Sequence, residues 1–273
     1  MNVNTNVNSL LAQTNLSTNG KAVAQAMERL SSGLRINNAS DDAAGLAISE
    51  RMNAQVNGME QALSNAQDGI SLAQTAEGAL GTVSDIIQRM KTLAVQAENG
   101  IYTEGDDESK GDIGTINDEI EALTDEINRI AQEVTFNGKT LLDSGDSVKI
   151  HVTDQPEGKI DIELVNITDL FEGGLEVGVG DDGAAIAEID KALDVVNEAR
   201  AGLGAQMNRL EFVAENLRTS INNTSESKSR IQDADMAKEM SELTRAEILQ
   251  NTTLAMLPRA NSHPQSVIQL LQG

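Results

Sequence analysis

The sequence predicts a mainly α-helical fold: an elongated helical bundle or coiled coil with one small β-hairpin. Three observations lead there. Apolar residues recur at alternating spacings of three and four over long stretches, the period of a helix buried along one face. Only four aromatics occur in 273 residues (Tyr102, Phe136, Phe171 and Phe212), so Leu, Ile, Val, Met and Ala must build the core. Those are the residues of helix–helix seams. Finally, a single pair of segments alternates with a period of two on either side of a turn.

From the amino end, Val23, Met27, Leu30 and Leu34 make a first, sparse stripe that Ser31-Ser32-Gly33 interrupts. Ser40-Asp41-Asp42 then offers side-chain oxygens to the free N–H groups of the next helix. That helix carries Val56, Met59, Leu63, Ala66, Ile70 and Ala73, and after a slip of three residues Leu80, Val83, Ile87, Met90 and Ala94. A slip of this kind overwinds a coil locally. Asn99-Gly100 through Gly111 reads as a polar, glycine-bearing turn. Ile113, Ile116, Ile120, Leu123, Ile127, Ile130 and Val134 predict the following helix.

The hairpin falls at about 143–170, with Val148, Ile150 and Val152 facing Ile160, Ile162 and Leu164 across Asp154-Gln-Pro-Glu-Gly158. The longest stripe follows: Ile186, Ile189, Leu193, Val196, Arg200, Leu203, Met207, Leu210, Ala214, Leu217 and Ile221. Only Arg200 breaks its apolar run, and it predicts a helix of about 36 residues. Met236, Met240 and Leu243 begin the last helix, and Val267, Leu270 and Leu271 end it. Pro258 lies inside it. Proline removes one backbone hydrogen bond and crowds the carbonyl four residues back, at a cost of about 3 kcal/mol, so a kink or break is expected at 254–258.

The stripes suggest a division of labour. Residues 1–45 and 230–273 carry sparse apolar stripes set among Asn, Gln, Ser, Thr and Ala, and these two ends are expected to pair as a terminal coiled coil. Alone they bury too little to offset ordering costs of about 1–2 kcal/mol per residue. The stripes of 46–229 are denser and predict a helical bundle domain containing the hairpin.

Charge follows the same division. The net charge is −23, and residues 98–191 hold 25 acids against 6 bases, whereas 1–45 carries three of each sign. Nucleic acid is excluded as a partner, because phosphate binding needs a basic patch to displace counterions. No stretch reaches the ~18 consecutive apolar residues of a membrane span, so no membrane insertion is expected. Without cysteine there is no disulfide or thiolate metal site. The amino end lacks the basic start and apolar run of a cleaved secretory signal.

Catalytic patterns are missing as well. His151 and His263 stand in unrelated contexts, and no zinc-helix, phosphate-loop or nucleophile-elbow motif occurs. Gly178-Val-Gly180-Asp-Asp-Gly183 spells a dinucleotide fingerprint, but two aspartates would face the pyrophosphate and no second strand follows. Asp106-Asp-Glu-Ser-Lys-Gly111 begins like a calcium loop, yet Lys110 and Asn117 occupy ligand positions. No enzyme activity and no cofactor are expected.

Long motifs supply the family. Leu30 through Ser49 (LSSGLRINNASDDAAGLAIS) resembles the amino-terminal signature of bacterial flagellin. Ile87 through Gly100, Phe136 through Leu142, Gly202 through Leu210 and Leu254 through Gln272 extend the resemblance over roughly 1–142 and 185–273. The acidic middle, 143–184, is where that family varies, and it is too short here for an inserted outer domain. The resemblance implies a structural, self-assembling subunit of the flagellar filament, polymerising through its terminal helices for motility. It also implies an extracellular location, reached unfolded through the flagellum's own secretion channel. Implied partners are copies of itself, an export chaperone, the filament cap and hook-junction proteins, and a vertebrate Toll-like receptor. That receptor motif resembles Ile87, Arg89 and Leu93 on one helix with Glu119 on the next. A hook–filament junction protein of the same family and a soluble coiled-coil adaptor are the alternatives.

Overall fold

The computed structural model describes residues 6–99, 101–103, 111–143, 145–153, 158–171 and 183–271, excepting the side chains of 169 and 263–271. Five α-helices carry the fold: α1 (Val7–Ser32), α2 (Ala43–Ala97), α3 (Asp112–Glu133), α4 (Ala184–Gln232) and α5 (Met236–Leu271). Several expectations fall outside what is described. These are the turn at 154–157, most of the Gly178 and Asp106 motifs, and the side chains of His263, Val267, Leu270 and Leu271.

Two compact units form, one from residues 1–56 with 222–273 and the other from 57–221. The expected boundaries, 45/46 and 229/230, lie inside α2 and α4, where neither helix has a break. Both helices therefore lend turns to the first unit, and there Lys228 donates to Asn53 Oδ1 at 2.8 Å.

In the first unit, chain reversals are fixed by caps. Gly33 ends α1 in the left-handed region (φ 73°), where a side chain would be strained, and its N–H donates to the Arg29 carbonyl at 2.9 Å. Asp42 Oδ1 accepts from the N–H groups of Ala44 and Gly45, at 3.1 and 2.9 Å, to start α2. Asp235 Oδ1 does the same for α5, accepting from Ala237 and Lys238 at 3.0 and 3.3 Å. The end of α4 is closed by Arg35, whose backbone N–H reaches the Gln232 carbonyl at 2.7 Å and whose guanidinium reaches that of Ile231 at 2.5 Å. Between these caps, Asp41 accepts from the backbone N–H groups of Asn38 and Asn37, and these bonds hold its carboxyl below the usual carboxylate range.

The second unit contains the hydrophobic core. Ile120 and Ile127 of α3, Leu80, Ile87 and Met90 of α2, and Ile189 and Leu210 of α4 are fully buried together. The buried stripe of α2 runs through Ala66, Ala73, Ala76, Leu80, Val83 and Ile87 without the slip expected before Leu80. Ala62 and Gly69 hold the buried positions where the larger Leu63 and Ile70 were expected, and these two are only half-buried. Arg200, the charged exception in the α4 stripe, reaches Glu77 of α2 at 2.8 Å.

The expected hairpin is β3 (Ser147–His151) paired antiparallel with β4 (Lys159–Glu163), Ile150 opposite Ile160 and Val148 opposite Ile162. Ile160 and Ile162 are buried. Gly69 of α2 lets the hairpin approach: a Cβ there would sit 3.1 Å from Ile150 and 3.3 Å from Leu210. A second, shorter ladder pairs β1 (Thr135–Phe136) with β2 (Lys139–Thr140) around Asn137 and Gly138, both at positive φ. That Asn-Gly turn matches the right-handed twist of two strands too short to show any alternation.

Candidate assembly interface

α1 and α5 lie side by side and antiparallel, Asn6 meeting Ala260, Asn19 meeting Thr253 and Arg29 meeting Glu239. The covered face of each helix keeps strict three–four spacing. On α1 it consists of Ser9, Ala12, Leu16, Asn19, Val23, Ala26 and Leu30; on α5, of Glu239, Leu243, Ala246, Gln250, Thr253, Leu257 and Ala260. This is a coiled-coil seam, but nine of its fourteen positions are polar or alanine. Small side chains allow the two backbones to approach closely and leave little apolar surface to bury.

The seam residues expected from sequence divide accordingly. Val23, Leu30, Leu34 and Leu243 are half-buried, and the first two and the last lie in the seam itself. Met27, Met236 and Met240 are instead exposed, at 54%, 48% and 52%. Sequence reasoning missed Ser9, Ala26, Glu239 and Ala246, which are the buried positions of the pair. The heptad spacing was present at those positions, but an apolar filter discards serine and glutamate.

Glu239 is the charged member of the seam. Its Oε1 receives Arg29 at 3.4 Å, while its Oε2 and Arg29 Nε are buried with no partner. A charge in such a place is held by its ion pair, and losing one partner strands the other. Outside the seam, large apolar side chains stand in solvent on both helices, among them Leu10, Leu11, Ile248, Leu254 and Met256. Apolar surface of this kind, running along two paired helices, is a surface for association.

The helix does not break at Pro258. Met236–Leu271 is one continuous α-helix, so the break expected at 254–258 does not occur. Pro258 is exposed, and α1 flanks it on both sides through Asn19 to Thr253 and Asn6 to Ala260. Contacts along the helix thus outweigh one missing hydrogen bond.

The four residues of the receptor motif are separated by burial. Ile87 (0% exposed) and Leu93 (3%) lie in the core and offer no surface. Arg89 and Glu119 face solvent and pair across α2 and α3: Arg89 Nε and a terminal nitrogen reach Glu119 Oε1 at 3.0 and 2.7 Å. Lys91 pairs likewise with Asp190 of α4 at 2.5 Å. Among the described residues no group of His, Asp and Glu could hold a metal ion, and no helix is long and apolar enough to cross a membrane.

Paired terminal helices that leave large apolar side chains in solvent, joined to a separately packed helical unit, have the architecture of a structural protein built to associate. Residues 3–146 match the bacterial flagellin N-terminal helical region and residues 186–271 the bacterial flagellin C-terminal helical region. A flagellin of Halalkalibacterium halodurans is 45% identical and one of Bacillus subtilis 40% identical, each match covering all of both chains. A crystal structure of Bacillus cereus flagellin is 32% identical over 56% of this chain and 88% of that one, with a TM-score of 0.49. The chain belongs to the bacterial flagellin family and is a structural subunit of the extracellular flagellar filament.

Proposed function

We propose that the chain polymerises through the outer faces of the α1·α5 pair, with other copies of the chain covering the apolar residues that the seam leaves in solvent. The observation that carries this reading is the set of large apolar side chains, among them Leu10, Leu11, Met27, Met240, Ile248, Leu254 and Met256, that the paired helices leave in solvent. The seam covers Leu16, Val23, Leu30, Leu243 and Leu257, and only an assembly covers the others. The second unit carries the acidic surface and holds its core without help from the ends. The role is structural rather than enzymatic, with no cofactor. Export proceeds unfolded through the flagellar channel without a cleaved signal, helped by a chaperone, and in the filament the chain meets the cap and hook-junction proteins. Seeding purified chain with filament fragments tests polymerisation, read by negative-stain imaging. Failure to extend the seeds sinks the reading.

In contact with a Toll-like receptor, the chain presents Arg89 and Glu119, while Ile87 and Leu93 support the helix from below. Arg89→Ala lowers the reporter response to soluble monomer. It changes thermal stability by less than about 1 kcal/mol, since a half-exposed ion pair contributes no more than that. An unchanged response removes Arg89 from the receptor surface.

Pro258→Ala supplies the missing N–H to the Leu254 carbonyl and removes a cost of up to about 3 kcal/mol. Filaments of this variant depolymerise at a higher temperature and change supercoil, read by heating and by electron microscopy. A depolymerisation temperature equal to or below the native one shows that the lattice already compensates for the proline.

A further inference from the structure

The structure assigns a specific task to Asn6: we propose that its side-chain amide pins the register of α1 against α5 by occupying a backbone carbonyl that Pro264 leaves without a donor.

In an α-helix the carbonyl of residue 260 receives the N–H of residue 264. Here residue 264 is proline, which has no N–H, while the backbone remains helical through it. The Ala260 carbonyl is therefore an orphan in mid-helix, on the half-buried side that meets α1. Asn6 Nδ2 donates to it at 2.8 Å. The other end of the same amide caps α1, Asn6 Oδ1 accepting from the Ser9 N–H at 3.2 Å. That bond also fixes the amide's orientation: with the oxygen turned to an N–H, the NH₂ must face α5.

Two features make this contact a determinant of register. The first is that the seam specifies alignment weakly elsewhere. Six of its fourteen positions are alanine, serine or threonine, which fit one another after a shift of one turn nearly as well as before it. The second is that the orphan carbonyl is unique on that face. Pro258 orphans the carbonyl of Leu254, but Leu254 is 49% exposed and outside the seam. A shift of one turn leaves the Ala260 carbonyl unpaired in the seam, and a lost partner there is costly. Arg29–Glu239 at the far end is the second fixed point, but long side chains at 3.4 Å tolerate displacement better than a short amide at 2.8 Å.

The test uses full-length chain, which has no native cysteine. Asn19→Cys with Thr253→Cys reports the observed register, since those side chains touch at 3.4 Å. Asn19→Cys with Leu257→Cys reports a shift of one turn. Both pairs are oxidised in assembled filaments, with and without Asn6→Asp. Aspartate caps α1 as well as asparagine does, so the helix start is preserved, but it has no NH₂ to donate. The shifted cross-link rises about fivefold relative to the observed-register one, the ratio for one hydrogen bond worth about 1 kcal/mol net. Adding Pro264→Ala returns the ratio to its native value, because alanine at that position supplies the N–H that the Ala260 carbonyl lacked.

Three results overturn the proposal. An unchanged ratio in Asn6→Asp means that the amide does not set register. A raised ratio that Pro264→Ala leaves in place means that Asn6 acts on something other than the orphan carbonyl. Filaments in which the Asn19–Thr253 pair fails to cross-link in the Asn6 background lack the helix pairing altogether, which separates failure of the assembly reading from failure of the pin.

Discussion

Chains lacking residues 1–45 or 230–273 form no filaments, yet remain soluble and helical. Either cut removes one partner of the α1·α5 seam and its share of the exposed apolar side chains that the pair presents. The surviving helix keeps its exposed methionines and leucines but loses the neighbour that fixes their direction. The second unit is untouched by this, because Leu80, Ile120, Ile127, Ile189 and Leu210 are buried among themselves. The cuts leave behind some turns of α2 and α4 that belong to the first unit, and these turns fray. A chain of 57–221 therefore shows a higher helical fraction per residue than one of 46–229, with the same melting transition. Circular dichroism and seeded growth measure both. Long filaments from a doubly truncated chain would falsify the assignment of assembly to the ends.

Ile87→Ala destabilises the second unit by about 3 kcal/mol, the middle of the range for emptying a buried isoleucine site. Ile87 is 0% exposed and sits one turn from Val83 and Met90 and two from Leu80, which are buried nearly as deeply. Packing on every side leaves the surroundings no room to collapse, so the lost methylenes leave a cavity. For a unit of this size the melting temperature falls by roughly 10 °C. Any loss of receptor response in this variant then follows unfolding and tracks temperature, whereas that of Arg89→Ala does not. A melting temperature within a degree of the native chain's would mean that α2 is not packed as described.

Legibility varied with chemistry. The stripes of α3 and α4 and the β3–β4 hairpin follow directly from apolar spacing, because isoleucine and leucine at those positions are what is buried. The seam between α1 and α5 obeys the same spacing but holds Ser9, Asn19, Glu239, Gln250 and Thr253, which hydropathy reads as solvent-facing. Conversely Met27, Met236 and Met240 look like seam and stand in water. In the proposed assembly other copies cover them, and a single chain's pattern does not say which copy supplies the cover. The receptor motif shows another limit. Ile87 already belonged to the α2 stripe, and that membership, rather than resemblance, was the better guide to its burial. The ladder at 135–140 was hidden by length, and the continuity of α5 through Pro258 depends on contacts that lie far away in sequence.

The mixed seam and the apolar side chains outside it set the heat capacity of assembly. Burying apolar surface lowers heat capacity, whereas burying amide and hydroxyl surface raises it. Closing α1 on α5 covers both kinds and changes heat capacity little, while covering Leu10, Leu11, Ile248, Leu254 and Met256 with other subunits adds large apolar side chains to the buried surface and lowers it. The two events therefore respond differently to warming. Seam closure weakens as thermal disorder grows, but association of the outer faces strengthens from the cold up to an optimum. Leaving these large apolar side chains scattered among polar ones, for other subunits to cover, gives the polymer a temperature window in which it grows.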